Sequence, residues 1–144
     1  MTERVDFYVL SQGAPDARMR CACHLAEKAV GEGRCVYLLT SSIGEAQRLD
    51  ELLWTFNDRS FLPHEIYSGQ PPSHARVSVL LGPMPGPDSH RDLLVNLTES
   101  VPVDYERYQR IAEIVDTDAE RKRNARERYK RYRELGLKLE TTNL

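Results

Sequence analysis

The chain has 144 residues, 40% of them hydrophobic and 29% charged, which suits one globular domain and excludes an intrinsically disordered chain. No run of roughly 18 apolar residues is present, and MTERVDFYVL lacks the long apolar stretch and small-residue cleavage site of a secretory leader, so a cytoplasmic location is expected, with no membrane contact. The net charge of −2 hides an asymmetry: from Asp118 onward nine Lys/Arg face five acids, a local charge of +4 that leaves −6 on the rest. Cations gathered at one end of an acidic body mark a localised site for something anionic.

The predicted elements alternate between strand and helix. Val5–Leu10 is a short β-rich run. Pro15 and Asp16 suit the first turn of a helix over Asp16–Gly31, in which Met19, Ala22, Cys23, Ala26, Ala29 and Val30 recur at helical spacing. Many of these are small, so the helix can lie close on a sheet. Cys35–Thr40 is apolar throughout, as in a strand covered on both faces. Ser41 or Ser42 can cap a helix over Ile43–Phe56, with Glu45 near the N3 position of a capping box. Arg76–Gly82 and Leu93–Leu97 read as the third and fourth strands, separated by the Gly/Pro-rich loop Gly82–Pro87; Gly69–Pro72 is another loop. Tyr105–Ala112 reads as helical and leads into a short strand, Ile114-Val115-Asp116. A basic helix, Asp118–Leu135, closes at Gly136, a natural C′ residue. The expected architecture over residues 1–144 is a single Rossmann-like α/β domain, an open, mostly parallel sheet with helices on both faces.

Chemistry-bearing patterns are few. The loop after the first strand, Ser11-Gln12-Gly13-Ala14-Pro15, is neither a dinucleotide nor a P-loop fingerprint, and Pro15 removes an N–H that a phosphate would use. Cys21, Cys23 and Cys35 match neither a disulfide framework nor a zinc pair and read as buried or half-buried hydrophobes. His24, His64, His74 and His90 are scattered, with no metal-ligand spacing, and read as surface or capping residues; a His64–Cys35 dyad has nothing to favour it. No catalytic residue, metal, cofactor or small-molecule substrate is expected.

Two segments stand out. In RLDELLWTFNDRSFLPH, Leu49, Leu52, Leu53 and Phe56 form a core stripe, while Trp54 lies about 100° from Leu53 and about 160° from Phe56 around the helix. Either it covers a core edge or, beside Phe61 and Pro63, it stands out as a protein-binding anchor. Along Asp118–Leu135, Lys122, Arg126, Tyr129 and Arg133 stay within about 60° of one another, with Lys130 flanking and Ala125, Tyr132 and Leu135 on the sheet side. The bland alternative is a solvated face. Only Glu127 interrupts the cations from Arg121 to Arg133, and Glu134 follows them, which favours a receptor for an acidic peptide with an apolar end.

RLDELLWTFNDRSFLPH and ARERYKRYRELG, in that order after a DFYVL strand, resemble the chi subunit family of bacterial DNA polymerase III, whose pattern is approximately RLDE-L-W-----SF-PH and then ARERYK-YR--G. The resemblance implies a non-catalytic, Rossmann-like subunit of the clamp-loader assembly in the nucleoid-associated replisome. It implies two partners, the psi subunit and the acidic, Phe-ended C-terminal tail of single-stranded-DNA-binding protein, and only indirect association with DNA. By resemblance, Trp54, Phe61 and Pro63 face psi, and Lys122, Arg126, Tyr129 and Lys130 take the tail, joined by Arg133 of the same stripe. The apolar lining of the tail pocket does not carry over, because the stretch between Asp116 and Ala125 is shorter than in the best-known member. Direct single-stranded nucleic-acid binding by the basic helix is the alternative; an enzyme on this fold would rest on analogy alone.

Overall fold

The computed structural model describes residues 1–11, 13–59 and 61–144; Gln12, in the loop without a phosphate pattern, and Ser60, inside the Trp54–His64 segment, lie outside the described residues. Seven strands form one sheet: β1 (Arg4–Val9), β2 (Val36–Leu39), β3 (His64–Ile66), β4 (Val79–Gly82), β5 (Leu93–Asn96), β6 (Arg110–Val115) and β7 (Leu139–Asn143). Their spatial order is β3-β4-β2-β5-β6-β1-β7, and every neighbouring pair is parallel. Parallel neighbours need crossovers. Three of these are helices: α1 (Ala17–Gly31), α2 (Ile43–Thr55) and α3 (Ala119–Glu134).

The helices divide between the two faces, as their apolar stripes require. Under α1 and α2, Ala22, Cys23, Ala26, Leu49 and Leu53 pack on Val36, Leu38, Val79, Leu81, Val95 and Ile114. Under α3, Tyr132 packs on Val5, Phe7, Leu94 and Ile111. The small side chains of α1 allow its close approach to the sheet. β2 is buried along its whole length, which is why its sequence does not alternate. Among the described residues no helix is long and apolar enough to cross a membrane.

The caps follow from the sequence. The Ser42 side chain accepts a hydrogen bond from the Glu45 N–H at 3.1 Å, while Glu45 reaches back to the Ser41 N–H at 3.0 Å. Asp118 caps α3 by accepting from the Arg121 N–H at 2.9 Å. Gly136 then turns with a φ of +81°, in the left-handed region that favours glycine.

Three expectations are corrected. Tyr105–Ala112 is not a helix: a single 3₁₀ turn at Tyr105–Arg107 is followed by β6, which already begins at Arg110. The three-residue spacing of Tyr108 and Ile111 mimics a helical stripe, but β6 lies between β5 and β1 and buries Ile111 on one face and Ala112 and Ile114 on the other. The two edge strands, β3 and β7, were not expected, because short, largely polar edge strands carry no apolar run. His64 and His90 are buried rather than superficial. His90 Nε2 lies 2.7 Å from the Val77 carbonyl oxygen, and His64 Nδ1 lies 2.6 Å from that of Leu62.

Candidate protein-binding surfaces

The basic helix is held on the sheet by a buried polar cluster. Glu113, on β6, is fully enclosed. It accepts from Arg128 Nε at 2.9 Å, from the Tyr132 hydroxyl at 2.6 Å and from Asn96 Nδ2 at 2.8 Å. Burial pushes the Glu113 carboxyl up, against the opposing pull of Arg128 and the other donors. Burial, and then the Glu113 charge, push the Tyr132 hydroxyl up as well. Arg128 also donates to the Glu99 carbonyl at 3.1 Å. Arg128 is thus a structural cation, although in the sequence it looks like any other member of the basic run.

With α3 fixed in this way, its next face overhangs β1 and β7. A groove of about 320 Å³ opens there. The strand residues Phe7, Val9 and Val115 line it from the sheet, and Ala125 and Tyr129 line it from the helix. The Tyr129 ring is half-buried and meets Phe7 edge-on, with ring centroids 5.1 Å apart. Lys122 and Arg126 stand at the rim. Lys130 and Arg133 are exposed on the same helix and do not line the groove.

The charge at the rim is available. Among the described residues, Lys122, Arg126, Lys130 and Arg133 have no carboxylate partner, whereas Arg121 pairs with Asp116 at 2.6 Å, Arg128 with Glu113 and Arg131 with Glu134 at 3.8 Å. An apolar slot with unpaired cations at its mouth fits a chain end that carries both an apolar side chain and negative charge. Sequence reasoning found Lys122, Arg126 and Tyr129 but missed Phe7, Val9, Val115 and Thr141. The period-2 alternation of β1 could have placed Phe7 and Val9 on one face; only the fold could bring that face under α3.

The second segment forms a separate aromatic patch beside edge strand β3. Trp54 is 54% exposed and Phe61 71%, against 1% for Leu53 and 8% for Phe56. The helix-angle reading of Trp54 therefore holds. Its ring lies 5.7 Å from that of Phe61 and 4.5 Å from that of His64. Pro63 is half-buried beside them. Adjacent exposed aromatics form the kind of surface that a partner covers.

The crevice at the strand ends and the cysteines offer no comparable site. A crevice of about 350 Å³ at the C-terminal strand ends, where open parallel sheets often bind ligands, is lined by Arg18, Arg121 and Arg128. Each of these arginines is already paired, Arg18 with Glu45 at 3.0 Å. Burial raises the Cys21 thiol to about 11 and the Cys23 thiol to about 12, which keeps both protonated. Among the described residues no three His, Cys, Asp or Glu side chains gather as metal ligands.

Residues 1–140 match the profile of the family described as "DNA polymerase III chi subunit, HolC". The chain belongs to the DNA polymerase III chi subunit family. It is 39% identical over 141 residues to the DNA polymerase III subunit chi of Pseudomonas aeruginosa, covering 98% of this chain and 96% of that protein. The subunit chi of Haemophilus influenzae is 32% identical over 149 residues, covering 100% and 99%. That of Escherichia coli is 32% identical over 119 residues, covering 83% and 80%. Among solved structures, the crystal structure of T4 UvsW superposes with a TM-score of 0.66 at 9% identity, covering 99% of this chain and 42% of that one. The likeness to UvsW concerns the fold alone. Membership in the chi family places the chain in the DNA polymerase III assembly of DNA replication.

Proposed function

We propose that this chi-family chain is a non-catalytic adaptor with two partners. The groove beside α3 takes the acidic, phenylalanine-ended C-terminal tail of single-stranded-DNA-binding protein, and Trp54, Phe61 and Pro63 bind the psi subunit of the clamp-loader complex. Two modest contacts joined through one rigid body gain from effective concentration. The polymerase machinery is thereby kept near coated single-stranded DNA.

The observation that carries the reading is the groove itself: an apolar floor at Phe7, Val9 and Val115 under a rim of Lys122 and Arg126. The ring of a terminal Phe fits the floor, and its α-carboxylate and the preceding acids meet the rim. A labelled peptide ending in acids and Phe, followed by fluorescence anisotropy, tests this. Arg126→Ala/Tyr129→Ala is expected to weaken binding at least 10-fold, since a hydrogen bond to a charged group contributes about 1.5–3 kcal/mol, and wild-type binding is expected to weaken as salt rises. Unchanged affinity in the double variant overturns the groove assignment. Tight binding of bare single-stranded DNA by Lys122, Arg126 and Tyr129 favours the nucleic-acid alternative instead.

A further inference from the structure

On the face of the sheet away from α3, the start of β1 and the start of β6 place two arginines side by side. Arg4 and Arg110 are register partners on adjacent strands. The next pair, Val5 and Ile111, belongs to the core under α3, so by alternation Arg4 and Arg110 project toward α1. Like charges directly opposite one another destabilise a sheet. Among the described residues the carboxylates do not neutralise this pair fully. Arg4 Nε stands 3.0 Å from Asp6 Oδ1 and its NH1 3.6 Å from Glu140, yet the Arg4 Nε–H is buried and not directed at an acceptor. Arg110 Nε is buried without an acceptor too, and among the described residues its guanidinium has no carboxylate. Only one other buried side-chain atom among the described residues lacks a partner, on Asp104. Orphaned buried donors in a native protein call for an explanation, and an anion-binding role supplies one.

Both arginines line a single cavity of about 110 Å³, together with Lys28 from the last turn of α1 and Arg34 from the loop after it. Four cations there face two carboxylates, Asp6 and Glu32. Glu32 lies 3.5 Å from Arg34, and Lys28 has no acid partner among the described residues.

We propose that this cavity binds a phosphate-class oxyanion between Arg4 and Arg110, with Arg34 and Lys28 closing over it. One guanidinium fork saturates the two oxygens of a carboxylate, whereas two adjacent forks offer donors to more oxygens than a carboxylate has. A tetrahedral dianion matches both the number of donors and the surplus positive charge. The anion is either a free or terminal phosphate or an internal phosphodiester. The site lies across the sheet from the tail groove and is independent of it.

The test is thermal unfolding at constant ionic strength, with sodium phosphate replacing chloride up to roughly 50 mM. The wild type is expected to show a saturable Tm rise of roughly 3–6 °C. Arg110→Gln removes the like-charge neighbour, so in chloride it should be at least as stable as the wild type while losing the phosphate response. Arg34→Gln, which alters a loop residue outside the strands, should cut the response as well and serves if the strand variant folds poorly. Oligothymidine with and without a 5′-phosphate separates the sources. A shift only with the 5′-phosphate assigns a terminal phosphate, and a shift with both assigns a phosphodiester. Phosphate acting no better than chloride, acetate acting as well as phosphate, or Arg110→Gln responding like the wild type would each overturn the proposal. Binding of the acidic peptide should be unchanged in Arg110→Gln, so failure here and failure of the groove reading are told apart.

Discussion

Arg128→Met asks whether α3 is held in place by a buried charge pair. The Arg128 side chain is 8% exposed and that of Glu113 0%, with Nε and Oε1 2.9 Å apart. Methionine keeps most of the volume and removes the counter-charge. Glu113 would retain its bonds from Tyr132 and Asn96, but as an uncompensated buried carboxylate, and breaking one side of a buried pair costs about 3–5 kcal/mol. For a chain of this size that corresponds to a fall in Tm of roughly 10–15 °C. The pH dependence is the sharper signature. Burial already lifts the Glu113 carboxyl, and loss of Arg128 lifts it further. A carboxyl whose folded pKa exceeds its unfolded value of about 4.3 holds a proton that the unfolded chain has released, so stability falls as pH rises from about 4.3 through the folded value. Arg128→Met should therefore be weakest at the highest pH and recover as pH falls and Glu113 takes up its proton. Urea unfolding followed by far-UV circular dichroism at pH 5, 6.5 and 8 reads this directly, and Glu113→Gln/Arg128→Met should regain most of the loss at pH 8. A deficit under about 1 kcal/mol, or one equal at all three pH values, would show that α3 does not depend on the pair.

Trp54→Ala should change stability by under about 1 kcal/mol, as expected for an exposed residue, while abolishing capture of psi in a pull-down and sparing the acidic peptide; a large loss of stability would instead place Trp54 in the core. At Asp116, burial pushes the carboxyl up, but the Arg121 hydrogen bonds and charge more than offset this and hold it below the usual range. The stability that Arg121 confers is therefore present above the ordinary Asp value of about 3.9 and lost as pH falls through the lowered one. Arg121→Ala should be less stable than the wild type at pH 7 in urea unfolding, with the difference shrinking as pH falls below about 3.9. Trp54→Ala and Arg126→Ala should act independently, with a coupling energy below about 0.5 kcal/mol in a double-mutant cycle on peptide binding; a larger value would mean that the two surfaces communicate.

The elements legible in the sequence are those whose burial pattern is local. α2 could be read because Leu49, Leu53 and Phe56 recur on one face and Ser42 caps it, and the same periodicity left Trp54 outside the core. β2 was legible as an unbroken apolar run. β6 was misread in its first half because partners on both sides, not local propensity, decide that Tyr108–Ala112 is not helical. β3 and β7 carry almost no apolar signal and exist because β4 and β1 offer them a backbone to pair with. Of the groove beside α3, the helix supplied Lys122, Arg126 and Tyr129 through its period, while Phe7 and Val115 come from strands far away in sequence. Arg128 is the clearest case of what a linear reading misses. Its partner Glu113 lies on another element, so a residue that the charge pattern presents as one more surface cation is buried at the base of the helix.

The sheet order gives the proposed adaptor its geometry. The aromatic patch lies by β3, at one edge, and the groove lies over β1 and β7, at the other. Six inter-strand spacings separate those edges, about 29 Å at roughly 4.8 Å each. A small protein that must hold two polypeptides at once has to keep them from colliding, and opposite edges of one sheet are the most distant places that this fold offers. An open sheet also leaves two edges to be managed. Here each edge strand is short, and each lies beside a surface suited to a partner: exposed aromatic rings at one, an apolar slot with unpaired cations at the other. The core strands β2 and β5 between them line neither of these two surfaces. In the proposed adaptor they serve as a rigid spacer, which fixes the effective concentration of each partner near the other without the entropy loss of a flexible linker.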